Sequence, residues 1–232
     1  MTVKDERTAA ARLADWGSDS RRVFAAARDP ARLAAAVVTL HRRVDEVLET
    51  SIAGHGVRLA CERGCSYCCH LRVDVQPYEA FALAGWLRRS FDATRLAAVI
   101  ARLRSNVKRT RSLGVEARKR TNLACALLGD DGACSAYEAR PAQCRRCHST
   151  SVDPCRAFHD DPTDDSLESG QHQAVAHNAA VIIAQARNAA RDAGLDEAAE
   201  DMNVALLEAL DNPKAWRRWR DGKKVFVDAN RR

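Results

Sequence analysis

Long apolar runs are missing from this sequence of 232 residues. No stretch of about 18 apolar residues occurs that could cross a membrane. No apolar segment follows the mixed charges near Met1 that could act as a secretory signal. We therefore expect a cytoplasmic protein without a membrane partner. In that compartment thiols stay reduced, and clustered cysteines usually indicate metal binding or redox chemistry.

Recognisable enzyme motifs are also missing. The sequence has no nucleotide-binding loop, no Ser-His-Asp order and no conspicuous pair of carboxylates, so no catalytic residue is predicted. A framework of extracellular disulfides is disfavoured because the cysteines number nine, which is odd. A chain of this length can also bury a hydrophobic core without covalent cross-links.

Alternating β-branched residues are scarce, whereas Ala, Leu and Arg are abundant, which predicts a mostly α fold. A helix is predicted to begin at Asp29-Pro30, where a capping residue precedes a proline in the first turn. Further helices are predicted from Pro77, after Asp92, and over about residues 172–193 and 196–211. The expected architecture is a compact helical domain with a cysteine-lined metal site built from two loop segments.

Three regions are predicted along the chain, and we expect them to form one integrated domain. They are N-terminal helices over residues 1–56, a cysteine-cluster metal-binding region over 57–165, and C-terminal helices with a basic tail over 166–232. No internal repeat or long low-complexity linker separates them.

Four of the nine cysteines fall within residues 61–69, namely Cys61, Cys65, Cys68 and Cys69. Thiolates held this close repel one another, so a metal, an iron–sulfur cluster or disulfides must neutralise them. Gaps of two to four residues between cysteines let two thiolates reach one metal ion. The adjacent pair Cys68-Cys69 is different because neighbouring side chains diverge. It favours two adjacent metals, or one metal with a bridging thiol.

The remaining five cysteines lie between residues 125 and 155 and must fold back to share a site with the first group. Helices between residues 77 and 112 are predicted to form a hairpin that allows this. Four ligands from each group would satisfy two four-coordinate metals and leave one cysteine over. For Cys147 a role as a small buried apolar residue is an open alternative. His70 and His148 each adjoin a cysteine, and we expect them beside the ligands rather than among them.

These motifs resemble the YkgJ-like CxxCxxCC cysteine-cluster family over about residues 61–158. The resemblance rests on the order Cys-x3-Cys-x2-Cys-Cys, on a cysteine pair with eight residues between its members, and on the downstream run Arg140-Pro-Ala-Gln-Cys144-Arg145. The first gap is three residues rather than the family's two. Proteins of this family are described as zinc- or iron-chelating, and Cys155 matches its last cysteine better than Cys147 does. The implied ligands are Cys61, Cys65, Cys68, Cys69, Cys125, Cys134, Cys144 and Cys155.

Arginines close to these cysteines are predicted to offset thiolate charge or donate hydrogen bonds to sulfur. They are Arg63, Arg140 and Arg145. The formal net charge of +6 treats every cysteine as neutral. Eight thiolates with two divalent metal ions would bring the total close to neutrality, so the basic composition does not by itself indicate an acidic partner.

The leading functional hypothesis is a protein that binds zinc or iron, with an iron–sulfur cluster possible, through about eight cysteine thiolates. Soft thiolates suit both metals, although the usual bacterial ferredoxin spacing is absent. The first alternative is an iron-dependent oxidoreductase, which would need an open coordination position.

The second alternative is a zinc-stabilised nucleic-acid-binding protein, suggested by basic residues over 102–120 and by Trp216 and Trp219. Nucleic acid is the less favoured partner, because no zinc-finger recognition pattern is present. We expect the partner to be another protein or a small molecule.

Overall fold

The computed structural model describes residues 15–226, which fold mostly into helices and confirm the predicted fold class. Residues 1–14 and 227–232 of the predicted terminal regions lie outside the described residues. Helix α1 covers residues 15–25. The helices that follow are α2 (Pro30–Gly54), α3 (Pro77–Ser90), α4 (Ala93–Thr110), α5 (Val115–Lys119), α6 (Ala142–Arg146), α7 (Asp153–Asp160), α8 (Gln173–Asp192), α9 (Met202–Asp211) and α10 (Pro213–Arg220).

The remaining regular structure is short. Turns of 3-10 helix cover Tyr67–His70 and Tyr137–Ala139. Strands β1 (Asp74–Val75) and β2 (Glu200–Asp201) pair in antiparallel register, with Asp74 opposite Asp201. None of the helices within residues 15–226 combines the length and apolar composition needed to cross a membrane.

Helix starts follow the capping signals of the sequence. The Asp29 carboxylate accepts hydrogen bonds from the backbone N–H groups of Ala31 and Arg32, and Pro30 occupies the first turn of α2. Asp92 caps α4 in the same way, accepting from the N–H of Arg95 at 2.8 Å. Both predicted starts are confirmed.

Helix α9 begins at Met202, six residues later than predicted. Residues 196–201, which precede it, make tertiary contacts that are incompatible with a helix. Asp196 accepts hydrogen bonds from the Trp219 indole through its carbonyl and from the Val225 N–H through its carboxylate. Asp201 pairs in the sheet and caps α9 by accepting from the Asn203 N–H at 2.8 Å.

A first hydrophobic core lies between α1, α2, α8 and α10. Its largest buried side chains include Trp16, Phe24, Leu40, Ile182 and Trp219. The last of these belongs to the predicted basic tail, which is in fact a helix that closes the core. Helix α10 is amphipathic, with apolar residues on the face toward the core and basic residues on the opposite face.

A second hydrophobic core lies between α3, α4 and α9. Its buried side chains include Leu83, Leu87, Leu103, Leu127 and Leu206. Helix α4 packs mainly against α9, whereas α3 packs against both α2 and α9. The cysteine-bearing segments touch both cores, because Ala142 of α6 is buried in the first core whereas Ala126 and Leu127 are buried in the second.

Candidate metal centre

The two groups of cysteines are joined by backbone hydrogen bonds. The Cys125 N–H donates to the Cys69 carbonyl at 2.8 Å, and the Leu123 N–H donates to the His70 carbonyl at 3.1 Å. On the other side of the first group, the Ala60 N–H donates to the Ser149 carbonyl at 2.8 Å. The first group therefore lies between residues 123–125 and residue 149, and direct backbone pairing brings the groups together.

Two glycine turns fix the outer edge of this arrangement. Gly64 and Gly132 both adopt left-handed backbone conformations, with φ values of 88° and 73°. The turns touch, since a Cβ added at Gly132 would lie 2.8 Å from the Gly64 carbonyl oxygen. Larger residues are excluded at Gly132 for both reasons. The contact holds the loop before Cys65 against the loop before Cys134.

Cys68 lies at the centre of the thiols. Hydrogen bonds from the Cys147 and Cys69 thiols lower the pKa of the Cys68 thiol. The same two bonds raise the pKa values of Cys147 and Cys69, because their protons are held as donors. Cys68 is thus the thiol of this trio that ionises first. As a residue Cys68 is exposed, whereas Cys69 and Cys147 are partly buried.

The more deeply placed thiols are stabilised in their neutral form. Burial raises the pKa of Cys125 to about 11 and raises that of Cys144 well above its ordinary value. Burial also raises the pKa of Cys134, and the positive charge of Arg140 opposes that shift. A soft metal cation would compensate the charge of these thiolates and displace their protons.

Of the three arginines predicted to offset thiolate charge, only Arg140 acts on the cysteines in this way. After the hydrogen bonds from Cys147 and Cys69, Arg140 also lowers the pKa of Cys68, and its guanidinium stacks over the Tyr137 ring at 4.0 Å. Arg145 instead pairs with Asp45 of α2 at 2.6 Å. Arg63 is exposed and lies 3.9 Å from Asp131.

The two histidines that adjoin cysteines are engaged with backbone groups. His148 is buried, its Nε2 accepts from the His172 N–H at 3.2 Å, and its Nδ1 lies 2.9 Å from the Arg146 carbonyl. His70 Nδ1 lies 3.1 Å from the Ser66 carbonyl. These contacts favour a supporting role for both, as the sequence indicated.

The eight cysteines named from the sequence all lie in this region, but not equally close to Cys68. The charges of Cys61, Cys69, Cys134 and Cys144 each interact with Cys68. Cys155 lies at the edge, where its sulfur is 3.8 Å from the Ser151 carbonyl and it interacts with Cys61. The assignment of these eight as ligands stays a prediction.

Cys147 was omitted from the predicted ligands although it contacts Cys68 directly. A signal for it was present in the sequence, because Cys144 and Cys147 are separated by a chelating gap of two residues. The family resemblance instead favours Cys155 as the ligand. The Gln171 side chain also approaches the Cys147 sulfur, at 3.9 Å.

The thiols lie in one region, but their sulfur atoms are not arranged to coordinate a metal ion. Within residues 15–226, no three Cys, His, Asp or Glu side chains converge so as to hold one metal ion. The donor chemistry nevertheless fits zinc or iron. Eight other free cysteines lie near Cys68 on segments that backbone hydrogen bonds tie together.

Comparison with known proteins identifies the same region. Residues 60–165 match the model of a family described as "CxxCxxCC: Putative zinc- or iron-chelating domain". The resemblance seen in the sequence is therefore confirmed over a slightly longer segment. No curated protein and no solved structure matches the chain.

Proposed function

Because residues 60–165 match a family described as zinc- or iron-chelating, we propose that this protein binds zinc or iron through the thiols around Cys68. The observation that carries the proposal is that free cysteines from two distant segments gather around Cys68. Partly buried thiols in this number give no packing advantage over aliphatic side chains, whereas a soft metal cation would use them as ligands.

A site for two metals is favoured over a site for one. Cys68 interacts with five other thiols, those of Cys61, Cys69, Cys134, Cys144 and Cys147. Each four-coordinate ion takes four ligands, so these thiols exceed what one ion requires. We propose that Cys68 bridges two metal positions, with about eight thiolates in total. An iron–sulfur cluster would satisfy the same donor count.

Zinc in such a site would cross-link the cysteine segments, and iron would supply one-electron chemistry. The alternative of an iron-dependent oxidoreductase is favoured by one observation, the exposure of Cys61 and Cys68. A metal held there would lie close to solvent and to a redox partner. We propose a small molecule or another protein as that partner, and the cytoplasm as a compartment that keeps the thiols reduced.

Binding of nucleic acid is less well supported. Several cations of the basic run are already paired, as in Arg104 with Asp211 at 2.8 Å and Arg120 with Asp165 at 2.7 Å. Arg118 is buried against Asp201. Trp219 is also buried, so it offers no face for stacking on a base. Metal binding is therefore better supported than nucleic-acid binding.

The decisive experiment is metal analysis of protein purified anaerobically, combined with a visible absorption spectrum. We expect zinc or iron to co-purify, with Cys68→Ser removing most of it. Zinc would leave the protein colourless and an iron–sulfur cluster would colour it brown. Ser66→Ala is the matched control, since it lies on the same turn and its side chain makes no capping bond.

Two results would contradict the proposal. One is a folded, metal-free wild type in which all nine cysteines titrate as ordinary thiols. The other is a Cys68→Ser variant with the wild-type metal content. Binding to nucleic acid that weakens steeply with salt would favour the second alternative instead.

A further inference from the structure

A buried carboxylate connects the helical core to the cysteine segments. Glu79, in the first turn of α3, is only 2 % exposed. Its Oε1 accepts a hydrogen bond from the backbone N–H of Ala142 at 2.7 Å. Ala142 is the first residue of α6, and Cys144 follows two residues later. We propose that Glu79 is a positioning residue, which sets the location of Cys144 in the thiol cluster; this inference rests on the proposed function.

The bond satisfies a donor that has no partner inside its own helix. The first N–H groups of a helix lack intrahelical acceptors, and no capping side chain of α6 supplies one. A carboxylate acceptor makes this a charge-assisted bond, stronger than a neutral one. Since Ala142 is itself fully buried, water does not substitute for the carboxylate. The position of this short helix therefore depends on Glu79.

A second contact extends the link to α2. His41 Nε2 lies 3.6 Å from Glu79 Oε1, and both side chains are buried. Elements α2, α3 and α6 thus meet at one carboxylate. Glu79 Oε2 is buried without a hydrogen-bond partner, and burying such an oxygen lowers the stability of the fold. We therefore assign to Glu79 the role of positioning α6 through Oε1 rather than of stabilising the core.

The test compares Glu79→Gln, which keeps an acceptor oxygen, with Glu79→Met, which has a similar volume and no acceptor for the Ala142 N–H. Metal affinity is measured by competition with a chelator, using zinc or cobalt as the probe. We expect the Met variant to bind about 10–100-fold more weakly than wild type. The Gln variant should bind nearly as wild type does. Glu79→Ala serves as a second variant if Met overpacks the site.

Alkylation of individual cysteines, mapped by mass spectrometry on chelator-treated protein, provides a readout that needs no metal. Cys144 should react faster in the Met variant than in wild type or the Gln variant, while the exposed Cys61 should react at an unchanged rate. Ser51→Ala is the control. It removes a partly buried bond between α2 and α8, in which the Ser51 hydroxyl accepts from the Asn178 amide at 3.0 Å.

Failure of this inference is distinguishable from failure of the proposed function. A wild type that binds no metal contradicts the proposed function, and the alkylation rates still decide the role of Glu79. Unchanged Cys144 reactivity and metal affinity in a folded Met or Ala variant would overturn the inference. Equal losses in Glu79→Met and Ser51→Ala would also overturn it, since they would indicate a general effect of stability.

Discussion

The helical cores and the cysteine segments are held together by different forces. Helices of the cores are long and bury aromatic and aliphatic side chains, such as Trp16, Leu40 and Trp219. In the cysteine segments, neither turn of 3-10 helix and neither α6 nor α7 has a side-chain cap, and Ala142 is the one buried residue among these four elements. Burial of apolar surface stabilises the first region, whereas backbone pairing and thiols hold the second.

This difference indicates how metal would act on the chain. Metal binding contributes to folding where ligands order segments that lack a core of their own. We therefore expect metal removal to loosen residues 60–70 and 121–160 while the helical cores stay folded. Three substitutions, ordered by their effect on stability, would break or sharpen this comparison.

Trp219→Ala should have the largest effect. Trp219 is fully buried in the first core and its indole N–H donates to the Asp196 carbonyl at 3.0 Å. Truncation should lower the free energy of unfolding by about 3–5 kcal/mol. Urea unfolding of chelator-treated protein measures this. The half-buried Trp216 provides the control, with a smaller loss expected for Trp216→Ala. Equal losses would contradict the assignment of Trp219 as the residue that anchors α10 in the core.

Asn106→Ala should have an intermediate effect, because it cuts a bond between the two regions. Asn106 is buried in α4, and its amide donates to the Ala124 carbonyl and to Asn203, both at 2.9 Å. Loss of these bonds should lower the free energy of unfolding by about 1–3 kcal/mol. Metal affinity should also fall, because residue 124 precedes Cys125.

Asn178→Ala is the matched control for that substitution. Asn178 also makes a side-chain amide bond, but this bond is partly buried and joins α2 to α8 beside the first core. It should lower stability and leave metal affinity unchanged. A loss of metal affinity in both variants would contradict the separation of the two regions.

Cys147→Ser should have the smallest effect on stability, about 1 kcal/mol or less in chelator-treated protein. Its effect on metal should be large, since Cys147 contacts Cys68. Cys155→Ser should reduce the metal content less, because Cys155 lies at the edge of the cluster. Metal analysis of both variants decides between them. A greater loss in Cys155→Ser would favour the ligand set inferred from family resemblance.

Much of the helical architecture was predictable from local signals. Asp29 and Asp92 cap the helices that they were expected to start, since capping involves only residues within one turn. Helix α9 was predicted too early because Asp196 is held by Trp219 and Val225, which lie more than twenty residues away. Contacts of that range leave no periodic signal in the sequence.

The sequence by itself determined the class of the site. Crowded cysteines and the family motif both indicate a zinc- or iron-binding segment, and the family match over residues 60–165 agrees. Division of the chain into three regions, and the identity of the metal, stay predictions. Spacing along the chain carries this information because ligands in one loop are necessarily close in space.

Only the tertiary structure decided how the two cysteine groups meet. Pairing of Cys125 with Cys69 and of Ala60 with Ser149 brings the groups together, so that Cys147 contacts Cys68 while Cys155 interacts with Cys61. The buried contacts of Glu79 with Ala142 and His41 likewise join residues far apart in sequence. Nonlocal hydrogen bonds and packing set these neighbours, and no local spacing encodes them. The cysteines clustered within residues 61–69 thus indicate metal binding from the sequence alone, whereas the fold determines which residues contact them.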